Sequence, residues 1–402
     1  MKRETYKLKQ LCSEIVDCVN KTAPTSDAPT PYKMLRTSDI REGKINLENL
    51  NCVTKEVYEK WTRRGKLQKG DVIFTREAPL GEVGLVREEK NYFLGQRLVL
   101  FRANDKICDG RFLMYSLLWH DNKQAIISKG VGSTVAHLRV PECENIEIKA
   151  PDLDIQHRIA DILSAYDDLI ENNQRQIKLL EEAAQRLYKE WFVDLRFPGH
   201  ENTNIVDGVP EGWSKSTVSE VSAVLRRGIS PKYNEKARGI VINQKCIRQT
   251  IVSYDEARTQ EKKYPAELEM MESDIVICST GAGTLGRVGQ IFEAKGNATL
   301  DSHVTLIRAD EKIGQQSLFW SLKMKQDYLM NAGKGSTNQL ELSRETIGNC
   351  KILIPERKIA EQAEKNFVAI HNKMKECTMQ IARLRETRNL LLPKLMSGEV
   401  EV

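Results

Sequence analysis

Gly281-Ala282-Gly283-Thr284-Leu285-Gly286 has the spacing of a dinucleotide-binding turn, a GxGxxG run directly after the apolar Asp274-Ile275-Val276-Ile277-Cys278. Such a turn must open a helix, whose N-terminus then holds the pyrophosphate. Arg287-Val288-Gly289-Gln290-Ile291-Phe292 follows instead, and its alternation predicts a strand, so the glycines are assigned to a β-turn. Gly333-Lys334-Gly335-Ser336 lacks the adjacent GKS/T of a phosphate loop. Asp39 with Glu42-Gly43-Lys44, or Asp71 with Glu88-Glu89-Lys90, has the residue types of a metal-dependent nuclease, a pattern that chance supplies in a chain 29% charged. The six histidines (His120, His137, His157, His200, His303, His371) have no HExxH spacing, and no GxSxG elbow occurs. Nine cysteines form an odd set without a CxxC pair, which argues against a disulfide framework and against structural zinc. They are expected to be reduced and mostly buried. No catalytic set and no metal site emerge.

The elements that carry these residues are written twice. Asp71-Val72-Ile73-Phe74 and Leu80-Gly81-Glu82-Val83-Gly84 return as Asp274-Ile275-Val276-Ile277 and Leu285-Gly286-Arg287-Val288-Gly289, offset by 203 and then 205 residues. Leu98-Val99-Leu100-Phe101-Arg102 returns as Val304-Thr305-Leu306-Ile307-Arg308. Gly130-Val131-Gly132-Ser133-Thr134 returns as Gly333-Lys334-Gly335-Ser336-Thr337. In the first copy Arg76-Glu77-Ala78-Pro79 stands where the glycine run stands in the second. A period this long is a duplicated domain. Each copy reads as mixed α/β, with strands such as DVIFT, glycine turns and short helices such as DGRFLMYSLLW.

Each copy ends at a proline, Pro151 or Pro355, and continues into a long helical pattern. In the first, Ile159, Tyr166, Asn173, Leu180 and Leu187 recur every seven residues, interleaved with Leu163, Ile170, Ile177, Ala184 and Trp191. In the second the stripes are Ala360, Phe367, Met374, Ile381, Arg388 and Leu395, with Ala363, Ile370, Cys377, Leu384 and Leu391 between them. Only Asn173 and Arg388 break them. Two matched heptad helices in one chain most simply pair as an antiparallel coiled coil with approximate two-fold symmetry; pairing with another subunit's helices is the alternative. Asn173 is the candidate buried residue that sets register, against the plain reading of a solvated polar residue on the seam.

These boundaries divide the chain into residues 1–150, a mixed domain; 151–198, a helix; 199–355, a second mixed domain; and 356–402, a second helix. The chain carries 61 basic and 56 acidic residues, net +5. Residues 1–150 hold 26 basic against 20 acidic residues, whereas 151–198 hold 6 against 10. The first domain is thus basic and the first helix acidic, as expected if a polyanion meets one and not the other. No apolar run approaches the ~18 residues of a membrane span, and the basic start lacks the apolar segment of a secretion signal, so a cytoplasmic protein without membrane contact is expected.

The chain resembles the specificity subunit of Type I restriction-modification systems. The residues that carry the likeness are Val209-Pro210-Glu211-Gly212-Trp213, Gly333-Lys334-Gly335-Ser336-Thr337, Pro151-Asp152-Leu153-Asp154-Ile155-Gln156-His157-Arg158-Ile159-Ala160 and Leu187-Tyr188-Lys189-Glu190-Trp191-Phe192, in this order at half-chain spacing. It departs in having Tyr6 where the family's first tryptophan would sit, and in Ile359-Ala360-Glu361-Gln362-Ala363, a looser opening of the second helix. The resemblance implies an α+β fold with two tandem mixed α/β target-recognition domains, each followed by one of the paired heptad helices. It implies double-stranded DNA read as a bipartite site, one half per domain. It also implies two modification (methyltransferase) subunits that bring S-adenosylmethionine and methylate adenine, and restriction subunits that use ATP and Mg to translocate and cleave. This chain would bind no cofactor and have no activity of its own. A self-sufficient DNA methyltransferase or nuclease with a divergent site, and a coiled-coil scaffold unrelated to DNA, are the alternatives.

A half-site reader needs donors and acceptors that reach base edges, and cations for phosphates. Where strands meet loops, the base-contact candidates are Arg36, Arg76, Gln96 and Arg97 in the first domain, and Gln244, Lys245, Arg248, Thr280, Ser302 and His303 in the second. Arg97 and His303 are equivalent in the repeat, a shared place with different chemistry. Lys129, Arg226, Arg227, Lys232 and Lys334 are the phosphate candidates, because long flexible cations suit point contacts. The bland reading of each is a solvated surface or a local hydrogen bond, and the Gly-Ser-Thr runs would then only turn the chain towards the helix.

Overall fold

The computed structural model describes residues 2–402 except 133–135, 282 and 336–339, and the chain divides into two compact units. Unit 1 is Met1–Glu171 with Ile381–Val402; unit 2 is Asn172–Gln380. The Ser133-Thr134 and Ser336-Thr337 pairs of the repeat and Ala282 of the glycine run lie outside the described residues.

The principal elements of unit 1 are β1 (Glu4–Lys7), β2 (Cys12–Asp17), β3 (Lys33–Leu35), β4 (Asn51–Cys52), β5 (Val72–Thr75), β6 (Val83–Leu85), β7 (Tyr92–Leu94), β8 (Leu98–Ala103), α1 (Gly110–Leu118), β9 (Glu147–Ala150) and the first part of α2 (Leu153–Tyr188). An antiparallel sheet has the order β2-β8-β5-β6, and a second has the order β4-β3-β7, with β3 and β7 parallel. Period-two alternation sends Val72, Phe74, Val99 and Phe101 to a cluster with α1 and α2, and Ile73, Leu98 and Leu100 to a second cluster with Leu35 and Leu94. Both faces of β5 and β8 are buried, which is why these strands read as continuous apolar runs. β1 pairs antiparallel with β9, Glu4 opposite Ala150, and so closes the domain where it began.

Unit 2 repeats this with β10 (Ser214–Thr217), β11 (Ser222–Arg227), β12 (Gly239–Ile242), β13 (Arg258–Gln260), β14 (Ile275–Cys278), β15 (Val288–Gln290), β16 (Ala298–Leu300), β17 (Val304–Ala309), α3 (Gln315–Met324) and β18 (Lys351–Ile354) before α4 (Arg357–Ser397). The sheet orders β11-β17-β14-β15 and β13-β12-β16, and the closing ribbon β10-β18, are those of unit 1 strand for strand. Even the bulge recurs: Ser13 opposite Arg102/Ala103, and Ala223 opposite Arg308/Ala309, are the extra residues in β2 and β11.

The long helices bury the expected stripes and run antiparallel in each unit. In unit 1, Ile159, Ala160 and Leu163 of α2 share a cluster with Leu395 and Met396 of α4, and Asp167 meets Arg388. In unit 2, Ala184 shares a cluster with Ala363 and Phe367, and the Cys377 thiol lies 3.7 Å from Gln176 Oε1. Asn173 is buried, 5% exposed. After Tyr188 the helix loosens into a π-turn over Lys189–Val193. The ring of Tyr188 stacks on Phe192, and Trp213 lies tilted between Phe192 and Phe197, with centroids 4.7 to 5.7 Å apart. The LYKEWF and VPEGW segments therefore meet in one core.

Gly283–Gly286 of the glycine run form a turn between β14 and β15, as the alternating sequel implied. A Cβ on Gly286 would lie 2.4 Å from the Met330 backbone nitrogen, and one on Gly281 would lie 2.8 Å from Gln244 Nε2. Both have positive φ, and close packing against the Leu329-Met330 backbone at Gly286 and against the Thr284 and Gln244 side chains at Gly281 accounts for them. All nine cysteines are unpaired and seven are buried. Burial pushes the Cys143 and Cys278 thiols up to about 12.

Candidate nucleic-acid interface

In unit 1 the end of β5, the start of β8 and the pair His137-Leu138 surround a cleft of about 310 Å³ lined by Asn20, Arg76, Glu77, Gln96, Arg97, His137 and Leu138. Three of the predicted base-contact residues thus converge. Their states differ. Arg76, its side chain 16% exposed, is held by Asp17 at 3.0 Å and by the Leu138 carbonyl at 3.3 Å, so it is a strut of the wall. Arg97, half exposed, has its Nε 3.2 Å from Glu77 Oε2. Gln96 Oε1 accepts from Thr22 Oγ1 at 3.1 Å, which leaves its amide nitrogen as the outward donor. Arg36 lies outside this cleft, its guanidinium held bidentate by Asp39 at 2.8 and 2.9 Å.

Unit 2 builds the corresponding place on the same backbone bonds. The Arg76 N–H donates to the Arg97 carbonyl, and the Ser279 N–H to the His303 carbonyl, both at 2.8 Å. Leu138 donates to the Arg76 carbonyl and Leu342 to the Ser279 carbonyl; the bridge Glu77–His137 becomes Thr280–Glu341. On this shared frame the side chains change. Asp17, Arg76, Glu77, Gln96, Arg97 and His137 give way to Arg227, Ser279, Thr280, Ser302, His303 and Glu341. His303 Nδ1 lies 2.7 Å from Thr280 Oγ1, which is 3.4 Å from Gln244 Oε1. Nε2 of His303 is left pointing away from that chain of bonds. Asp301 fixes the turn by accepting the His303 N–H at 2.9 Å, and burial pushes its carboxyl up against the pull of that bond.

Among the remaining candidates, Lys245 is exposed at the 3₁₀ turn after β12, and Arg248 is 3.6 Å from Glu256. Ser302 is half-buried beside His303. The five phosphate candidates divide. Arg226 pairs with Glu267, Lys232 with Glu261, and Arg227 with Glu341 at 2.5 Å. Lys129, at the end of the helix His120–Ser128, and Lys334, bridged to Glu341, are exposed and carry no ion pair among the described residues. Sequence reasoning does not single out Asn20 and His137 as cleft residues, nor Glu341 as the counterpart of His137; the matching bridges Glu77–His137 and Thr280–Glu341 could have been sought from the repeat. The carboxylates that suggested a nuclease are occupied: Asp39 holds Arg36, and Asp71 holds Arg102 through two bonds of 2.9 Å. Among the described residues no group of three or more His, Cys, Asp or Glu side chains is placed to hold a metal, and no helix is long and apolar enough to cross a membrane.

The sequence matches the family described as Type I restriction modification DNA specificity domain over residues 3–182 and again over 210–374. It is 24% identical to the Type I restriction enzyme HindI specificity subunit of Haemophilus influenzae, with 91% of this chain and 94% of that protein covered. It is 26% identical to the Type I restriction enzyme MjaIX specificity subunit of Methanocaldococcus jannaschii, with 83% of this chain and 78% of that protein covered. Its fold is that of the S subunit of the Type I restriction-modification system of M. genitalium, with a TM-score of 0.62 at 17% identity and with 98% and 96% of the two chains covered. Two domain copies built on one backbone frame, each matched by the family, make this chain a member of the Type I restriction-modification DNA specificity family, with two target-recognition domains.

Proposed function

We propose that this chain chooses a bipartite double-stranded DNA site, one half through each unit, and that the reactions are carried out by its partners. The observation that carries the reading is the pair of equivalent places built on one backbone frame with different side chains, which is what two readers of different half-sites require. Two modification subunits would bring S-adenosylmethionine and transfer its methyl group to adenine; restriction subunits would bring ATP and Mg. The family's specificity subunits work with methylase and restriction subunits and bind DNA. The test has two arms. Calorimetry of the pure chain with S-adenosylmethionine should show no binding, and label transfer from the cofactor to DNA should begin only when a modification subunit is added. Micromolar cofactor binding or methyl transfer by the chain alone would overturn the division of labour.

A further inference from the structure

We propose that Arg97, positioned by Glu77, reads a guanine in the half-site bound by unit 1, an assignment that rests on the DNA-reading function above. Three arginines of unit 1 are base-contact candidates, and two are already committed. Arg36 is clamped by Asp39 through both Nε and Nη2, and Arg76 is 16% exposed and tied to Asp17 and the Leu138 carbonyl. Arg97 has its side chain 51% exposed at the mouth of the cleft, and Glu77 meets it on the Nε edge. Its two terminal amino groups make no hydrogen bond among the described residues. A guanidinium held by a carboxylate along the Nε edge presents those two groups end-on. That is the fork which matches O6 and N7 of guanine in the major groove, and no other base shows two acceptors there.

The backbone supports a directed side chain. Arg97 has φ +69, a left-handed conformation that a long side chain adopts only when its surroundings hold it, and its carbonyl is fixed by the Arg76 N–H at 2.8 Å. The carboxylate reduces the rotamer freedom that the long side chain would otherwise lose on binding. Glu77 is thus a positioning residue. In unit 2 the same two places hold His303 and Thr280, and the nearby Arg227 is paired with Glu341. No guanidinium fork is offered there, so the two halves should not share this guanine contact.

The test uses the full chain assembled with its modification subunits. Methylome sequencing of wild type defines the site; absence of a two-part motif would sink the functional reading itself, whereas a two-part motif with no G·C pair in the half lost on exchange of unit 1 would sink only this proposal. Binding is then measured for duplexes that each carry one substituted base pair. Wild type should discriminate roughly tenfold or more at one G·C pair of that half. Arg97→Ala, and Arg97→Lys, which keeps the charge but not the fork, should reduce discrimination at that pair to within about twofold, with every other position unchanged. Glu77→Ala should weaken discrimination at the same pair without changing the preferred base. Equal weakening on all duplexes would make Arg97 a phosphate contact and overturn the proposal, as would unchanged discrimination or a change in the other half. Arg97→Lys keeps the test decisive if the alanine variant is poorly folded.

Discussion

Asp71 and Asp274 are chemically capable carboxylates whose role is set by a neighbour. Each is buried and accepts two bonds from the arginine of the adjacent strand, Arg102 at 2.9 and 2.9 Å and Arg308 at 2.6 and 2.8 Å. Without Asp71, Arg102 keeps Glu14 and the Lys66 carbonyl as partners, so the loss is that of the charge-assisted bonds alone. Asp71→Ala should therefore lower stability by about 1.5 to 3 kcal/mol, read as a shift in the urea midpoint. His371 is a second buried group whose state follows from its surroundings. Burial, helped by Lys375 and opposed by Glu272, lowers its pKa from 6.5 to about 4. Gln290 Oε1 lies 3.1 Å from Nδ1, and the ring is 4.4 Å from that of Phe292. The folded chain favours neutral imidazole. Its contribution is fully present above about pH 6.5 and is lost as pH falls towards 4. The urea midpoint should fall over that window in wild type, and His371→Gln should flatten this component. At this scale the sequence exposes Arg97 and His303 as equivalents, because the repeat aligns them. It could not show that Arg36 and Arg76 were already held, because Asp39 is reached through a 3₁₀ turn and Asp17 from a strand 59 residues away.

Heptad spacing marks both long helices in the sequence itself, since two apolar stripes at period seven have no other economical use. Their interruption at Arg388 is explained by packing. Arg388 Nη1 lies 2.5 Å from Asp167 Oδ1, and the Tyr115 hydroxyl donates to Asp167 Oδ2 at 2.6 Å. Burial first, and then the charge of Asp167, push the Tyr115 phenol up, so it remains a donor. The central helix α2, the C-terminal helix α4 and α1 of the mixed domain are thus joined in unit 1 through Asp167. Arg388→Met would leave the buried Asp167 carboxylate without its ion-pair partner, held by the Tyr115 hydroxyl alone, and should cost about 3 kcal/mol. Asp167→Leu and Tyr115→Phe added to Arg388→Met should restore most of that loss, because a well-packed apolar replacement of a buried polar group is often neutral. Denaturation of the single and triple variants measures the difference. The π-turn at Lys189–Val193 was not legible, since LYKEWF continues the helical spacing and only the aromatic core around Trp213 shows why the last turn opens.

For the whole molecule, duplication was the most readable property, and it leads to a prediction about modularity. Each mixed domain enters and leaves through one antiparallel ribbon: Glu4 pairs with Ala150, and Ser214 with Ile354. The strands between the ribbon ends close their sheets within the same domain, so a replacement that keeps the ribbon need not alter any strand pairing outside it. Strand pairing across distant segments, such as β3 beside β7, was not legible from spacing, because parallel neighbours are brought together only by the completed sheet. The ribbon nonetheless sets where a cut should be made. Exchange of residues 218–350 for the equivalent segment of a relative leaves β10 and β18 in place and transfers Gln244, Thr280 and His303 together with the backbone frame that aims them. Methylome sequencing of the chimera with its modification subunits should show one half of the two-part motif replaced by the relative's and the other half retained. Change in both halves would mean that the domains do not read independently. An unchanged motif would place the reading residues outside the exchanged segment, and with it Thr280 and His303 outside the DNA contact.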